Sequence, residues 1–220
     1  MADFSALRDL KQSLIRKPLA GAVLLAPLST AVPAKFTDPA GALIDLKTAG
    51  FESLGHISKE GAPTFTPETE TSEVEAWGLL ESARTDIVSR NTTIKWKGQE
   101  THKKNLELYH GRDLSAVKFD SASGETEFTD PTDPSITYHR AVFLSVDGAG
   151  ANAIYIIKFA PKLVVTEVDE QGWTQENAVE YGITARAKID EAEGYALKTI
   201  FAGPGWKALA LKAGFVASTP

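Results

Sequence analysis

Residues 63–98 read PTFTPETETSEVEAWGLLESARTDIVSRNTTIKWKG and contain two long runs with a strand-like pattern. Threonine and glutamate alternate before Trp77, and a second Thr-rich run ends at Trp96. Because β-branched side chains fit a pleated strand better than a helix, the two runs predict a long polar β-hairpin. The connection between them carries Trp77, Leu79 and Leu80. Surface connections are expected to be polar, so this apolar tip indicates a contact.

The tip and the hairpin each admit two interpretations. The tip could fold back and cap the core of its own domain, or it could reach another subunit and bury its apolar side chains there. Two polar strands suit either a solvated outer hairpin of a monomer or a wall that water wets on one side. The residue pattern by itself leaves both alternatives open.

Further strands are predicted before and after the hairpin, from short apolar runs bounded by Gly, Pro or Asp. They lie at residues 21–27, 41–46, 51–58, 136–146, 152–160, 162–168, 178–190 and 194–201. The segment 178–190 alternates most regularly, with Tyr181 and Ile183 on one face and Arg186 on the other. We expect the segment 194–201 to pair back onto it after a turn.

Two helices flank these strands in the prediction. Residues 4–17 place apolar side chains at helical spacing, and residues 100–111 form a compact helix with Leu106 and Tyr109 on one side. Gly111 is expected to cap the second helix, because its C-cap conformation favours glycine.

The pattern therefore predicts an all-β fold with minor α content. We divide the chain into an N-terminal helical arm (1–18), a β-domain (19–203) and a C-terminal helix or arm (204–220).

Composition excludes several classes of protein. The formal net charge of −6 and the pI near 5.3 argue against a protein that binds nucleic acid by neutralising its phosphates. The absence of cysteine excludes disulfides, thiolate catalysis and zinc sites built on sulfur. No apolar run approaches the length of a transmembrane helix, so no membrane partner is expected.

Catalytic and metal-binding patterns are missing as well. The four histidines are scattered, without the spacing of a common metal motif. The run that contains Glu68, Glu70, Glu73 and Glu75 lacks EF-hand spacing and reads as a solvated strand face. We therefore predict no catalytic, metal or cofactor-binding residue, no cofactor and no enzymatic activity.

A resemblance to a known family rests on motifs in a fixed order. These are LGHISKEG (54–61), SEVEAW (72–77), a connection that ends at Arg84, NTTIKW (91–96), NLELYHG (105–111) and the long segment NAIYIIKFAPKLVVTEVDEQGWTQENAVEYGITARAKID (152–190). In order and spacing they resemble the major tail proteins, or tail tube proteins, of long-tailed phages that infect actinobacteria.

This resemblance implies two β-sheets packed as a sandwich or split barrel and flanked by a helix. Six copies would form a ring in which the inner sheets join into one barrel, and rings would stack into a tube that DNA traverses during ejection. The tape measure, distal tail and terminator proteins would be partners, and DNA would pass without specific binding. The protein would reside in the virion tail, after assembly in the host cytoplasm.

Site residues follow from the same resemblance. Trp77, Leu79 and Leu80 correspond to the inter-ring hairpin, and Glu68, Glu70, Glu73 and Glu75 are expected among the residues that reach the channel. An acidic wall would repel the phosphate backbone, so DNA would pass through the channel without binding to the wall.

Two alternative functions remain at this stage. One is another hexameric tail component, such as a distal tail or terminator protein, which shares the fold. The other, less favoured, is a carbohydrate-binding β-sandwich that uses Trp77, Trp96, Trp173 or Trp206 as a stacking platform.

Overall fold

The computed structural model describes residues 3–133 and 135–218, and within them eight strands form one antiparallel sheet. The strands are β1 (Ala20–Pro27), β2 (Glu52–Ser53), β3 (Thr64–Val74), β4 (Arg84–Gly98), β5 (Tyr138–Asp147), β6 (Ile154–Val168), β7 (Tyr181–Lys188) and β8 (Lys198–Ala202). Their order is β2-β1-β5-β6-β7-β4-β3, and β8 also pairs with β6. The helices are α1 (Phe4–Arg8), α2 (Lys103–His110) and α3 (Pro204–Leu209). The all-β prediction with minor α content is confirmed.

Strand β6 pairs with three neighbours. One of its edges carries β5, while the other carries β8 along Tyr155–Phe159 and then β7 along Lys162–Val168. Pro161 lies between these two partners, and there β6 bulges against Arg140 of β5. A proline has no N–H for the ladder, so sheets tolerate it at such a bulge. The two strands predicted at 152–160 and 162–168 are therefore one strand.

The sheet curls until strands that are not neighbours meet. Phe143 of β5 contacts Trp96 of β4 and Phe65 of β3, with ring centroids 5.6 and 5.3 Å apart. Two further strands separate β5 from β4 in the sheet. The contacts therefore place one half of the sheet over the other, around a core that includes Ile94, Leu163 and Ile183. The resemblance implied two sheets, whereas one continuous sheet supplies both layers.

A second core lies on the opposite face of β1, β5 and β6. The long connection 28–51 covers it with Phe36 and Phe51, whose rings lie 5.3 and 6.4 Å from that of Phe159. The strand predicted at 41–46 is wrong, because this connection forms only an isolated bridge between Thr37 and Leu43. Such a connection packs through side chains and needs no strand ladder.

Helix α2 closes one end of the first core. Its buried face carries Asn105 and Leu108, whereas the predicted Leu106 and Tyr109 are half-buried. The amide Nδ2 of Asn105 donates hydrogen bonds to the carbonyls of Leu54 and Glu100 at 3.0 and 2.8 Å. Gly111 ends the helix with φ 59°, as predicted.

The remaining segments show further differences. Residues 4–17 do not form one helix, because Asp9 adopts φ 37° and ends α1, and a 3₁₀ turn follows at Gln12–Leu14. The segment 51–58 contributes only the two residues of β2. Strand β8 pairs with β6 rather than with β7, since β4 already occupies the other edge of β7. Residues 1–2 and 219–220 of the predicted terminal arms lie outside the described residues.

The aromatic contact across the curl gives the first prediction. Phe143→Ala should lower the free energy of unfolding by about 3–5 kcal/mol, because it leaves a cavity between the two layers. Phe119→Ala, whose side chain is exposed, should change it by less than about 0.5 kcal/mol. Urea unfolding monitored by circular dichroism measures both. Equal losses in the two variants would contradict the packing described.

Candidate functional site

The β3–β4 hairpin extends beyond the sheet. β7 pairs with β4 only from Thr92 to Gly98, whereas β3 pairs with β4 as far as Val74 and Arg84. We call residues 68–91 the arm and its end, 75–83, the tip. Nearly every residue of the arm is exposed, because no other described segment pairs with it or packs over it.

The two faces of the arm differ in charge. Glu68 and Glu70 lie on one face, where Thr93 Oγ1 and Ser89 Oγ donate hydrogen bonds to them at 3.4 and 3.2 Å. Glu73 is paired with Thr85 and lies on the opposite face, because successive side chains of a strand alternate. Glu75 follows the end of β3 and belongs to the tip. The four glutamates predicted for the channel therefore do not share one surface.

The tip presents its apolar side chains to solvent. The N–H of Leu79 donates a 3.2 Å hydrogen bond to the carbonyl of Ala76, and this closes a turn. Gly78 occupies the third position of the turn with φ 90°, which other residues rarely adopt. Trp77 and Leu80 are fully exposed, and Leu79 is 61% exposed. The tip therefore does not cap the core of its own domain.

A basic cluster, which the sequence analysis missed, lies on the outer face of the sheet. Lys162 and Lys188 are direct cross-strand partners, and Arg186 stands next to them opposite Thr93. Like charges placed directly opposite one another are unfavourable. The Nε of Arg186 is buried, and among the described residues it has no hydrogen-bond partner. The alternation of 178–190 puts Arg186 and Lys188 on one face, but only the sheet register adds Lys162.

A groove of about 1050 Å³ opens at the base of the hairpin. It lies between the start of β1, the end of β5 and the connection 55–63, and we call it the groove. Its wall includes Leu19, Phe65 and Phe143, and its rim carries Lys17 and Lys59. The groove could not be predicted from the sequence, because its wall comes from segments far apart in the chain.

Other site chemistry is sparse in the part of the chain that the structure describes. No group of three or more His, Asp and Glu side chains in residues 3–133 and 135–218 could hold a metal ion. None of the helices there is long and apolar enough to cross a membrane. Trp96 is buried and Trp206 packs between Phe201 and Phe215, which leaves Trp77 and Trp173 as the exposed tryptophans. The four tryptophans do not form one stacking platform.

Comparison with protein-family models places the chain in a known family. A family model described as phage tail tube protein matches residues 9–199, which include the arm, the basic cluster and the groove. No curated protein matches the chain.

The exposed tip gives the second prediction. Trp77→Ala should change the free energy of unfolding of the dispersed protein by less than about 0.5 kcal/mol, because its side chain has no contact to lose. Trp96→Ala should lower it by about 3–5 kcal/mol, since that side chain is buried between the layers. Urea unfolding at low protein concentration compares them. A large loss for Trp77→Ala would mean that the tip packs on its own domain.

Proposed function

We propose that this chain, which belongs to the phage tail tube protein family, is the subunit of a tube through which phage DNA leaves the capsid. Family membership makes it a structural protein of the virion tail. Six copies would form each ring and rings would stack, with tape measure, distal tail and terminator proteins as partners. Assembly would take place in the host cytoplasm. The motifs at 54–61 and 91–96 favour a long-tailed phage of an actinobacterial host.

The observation that carries this proposal is the open hairpin. A long exposed strand edge templates further pairing, so a stable monomer normally shields it. Within residues 3–133 and 135–218, no strand pairs with the outer edge of β3 along Thr64–Val74, and none besides β3 pairs with β4 from Arg84 to Asn91. Closing a ring of subunits edge to edge would remove these open edges, as barrel closure does within one chain.

Stacking of rings would depend on the tip. Burying a Leu-sized side chain is worth roughly 1.5–3 kcal/mol, so Trp77, Leu79 and Leu80 of six copies would add substantially to the contact between rings. A contact of this kind joins different surfaces of successive copies, and such a contact grows into a filament when it does not close.

The channel wall would include the face of the arm that carries Glu68 and Glu70. Six chains of net charge −6 give a ring about −36 formal charges, which favours repulsion of DNA at short range. Lys95 and Arg186 lie on the same face of the sheet, nearer the body of the domain. We therefore confine the acidic stretch of the wall to the arm. Glu73, on the opposite face, and Glu75, in the tip, would point elsewhere.

The tip gives a test of assembly. The double variant Leu79→Asp/Leu80→Asp should remain folded and form no tubes, because carboxylates cannot be buried in an apolar contact. Ile136→Asp, which changes an exposed apolar residue elsewhere, should assemble normally. Negative-stain microscopy measures tube formation, with the isolated distal ends of phage tails added as seeds. Normal tubes from the double variant would remove the tip from the inter-ring contact.

The acidic face gives a test of DNA passage. Tubes of Glu68→Lys/Glu70→Lys should retain duplex DNA at low salt and release it as salt rises, because cations in the wall bind phosphates. Glu127→Lys/Glu176→Lys makes the same change in net charge at two exposed residues outside the arm. DNA that co-sediments with the tubes is measured at several salt concentrations. Equal retention by both variants would contradict the assignment of this face to the channel.

A further inference from the structure

We propose that the tip of one copy inserts into the groove of the next copy along the tube. Trp77, Leu79 and Leu80 would then cover the apolar wall that includes Leu19 and Phe65. This inference rests on the proposed function, since it names the surface that receives the tip when rings stack.

The groove is open and largely apolar. Leu19 at its mouth is 76% exposed, and Phe65 is half-buried between the ring of Phe143 and the ammonium of Lys158. The Lys158 Nζ lies 4.7 Å from the centroid of the Phe65 ring. An exposed apolar wall with a charged rim is typical of a surface that another protein segment covers.

The tip cannot reach the groove of its own chain. Phe65 lines the groove near the start of β3, and Val74 ends the same strand next to the tip. The nine residue-to-residue steps from Phe65 to Val74 span roughly 30 Å at about 3.3 Å per step. Pairing with β4 continues over this whole length, apart from one bulge near Glu70, and keeps the strand extended. The tip and the groove thus lie at opposite ends of one rigid element, so a contact between them joins two copies head to tail.

The charges of the two surfaces are complementary. Lys17, Lys59 and Lys158 line the groove, and within the described residues no carboxylate forms an ion pair with any of them. Glu100 is the one carboxylate among the described lining residues. Its pKa is held below its usual range, because the side chain and the backbone N–H of His56 both hydrogen-bond to it. The groove therefore offers unpaired cations to an incoming segment.

The tip supplies the matching anions. Glu75 and Glu81 flank its apolar residues, and Glu73 lies just before the tip, near the end of β3. The nearby cation, Arg84, is already paired with Asp86 at 2.7 Å. An acidic segment with an apolar centre fits a groove with an apolar wall and a basic rim. Burial of apolar surface and attraction between opposite charges then both favour the complex.

Crosslinking can test this directly, because the natural chain has no cysteine. Leu80→Cys places one thiol in the tip, and Ala62→Cys places another at the exposed edge of the groove. Tubes of the double variant, treated with a short bismaleimide, should give a ladder of dimers, trimers and longer chains on a denaturing gel. Each single variant has only one thiol per chain and can give dimers at most.

Two control pairs of cysteines test whether the groove is occupied by the tip or by another segment. Leu80→Cys/Ala122→Cys moves the second thiol to an exposed turn outside the groove and should give no ladder. Val216→Cys/Ala62→Cys tests whether the exposed C-terminal segment of a neighbour fills the groove instead. A ladder from this pair, and none from Leu80→Cys/Ala62→Cys, would overturn the inference.

Charge reversal gives a second, independent readout. Lys17→Glu/Lys59→Glu should raise the protein concentration needed for tubes roughly tenfold at low salt, because both lysines are exposed at the rim and their loss removes attraction to the tip. Lys103→Glu/Lys118→Glu alters two exposed lysines outside the groove and should not raise it.

The outcomes distinguish the inference from the function on which it rests. If the unaltered chain forms no tubes even with seeds, the proposed function fails and the inference fails with it. If tubes form but the ladder is missing and the reversal at Lys17 and Lys59 has no effect, the groove is not the acceptor and the tube proposal stands. If a cysteine pair prevents assembly, the charge reversal alone decides, and an unchanged threshold concentration overturns the inference.

Discussion

Strand β6 holds the sheet together, because its backbone pairs with three other strands, β5, β7 and β8. Along one edge of β6, the pairing partner changes from β8 to β7 at Pro161, where β6 bulges. The guanidinium of Arg140 fixes this point. It donates hydrogen bonds to the carbonyls of Leu28, Thr30 and Pro161, and it pairs with Asp190 at 3.1 Å. Burial opposes the ionisation of Asp190, but hydrogen bonds and the charge of Arg140 outweigh it and hold the pKa of this carboxyl below its usual range.

The curl that follows this bulge divides the chain into a stable body and an unsupported arm. At Phe159 and Ala160 both faces of β6 are buried: Ala160 lies in the core with Phe143, and Phe159 lies beneath the connection 28–51. Among the described residues, only the ladder between β3 and β4 supports the arm. An isolated two-stranded hairpin is marginal in water, so a contact with another copy would contribute more to the arm than to any other part of the molecule.

Charge is distributed in accordance with this division. The rest of the domain carries Lys162, Arg186 and Lys188 on one face, while the arm with its tip carries five glutamates. The net charge of −6 therefore does not describe any single surface. A separate basic surface is the rim of the groove, with Lys17 and Lys59. For a protein that assembles head to tail, this basic rim at one end and the acidic tip at the other would favour growth in one direction over random aggregation.

Several local elements could be predicted from the amino-acid sequence alone. Thr-rich alternation identified β3 and β4, the regular pattern at 178–190 identified β7, and Gly111 identified the end of α2, because each depends on neighbours in the chain. The other features are visible only in the folded chain. The tertiary structure merged two predicted strands through Pro161, moved β8 onto β6, made one curled sheet of two expected ones, and separated Glu68 and Glu70 from Glu73. It also brought Leu19, Phe65 and Phe143 together into the groove. These features depend on strand register and on contacts between distant segments, and a single sequence encodes them only through the packing of the whole chain.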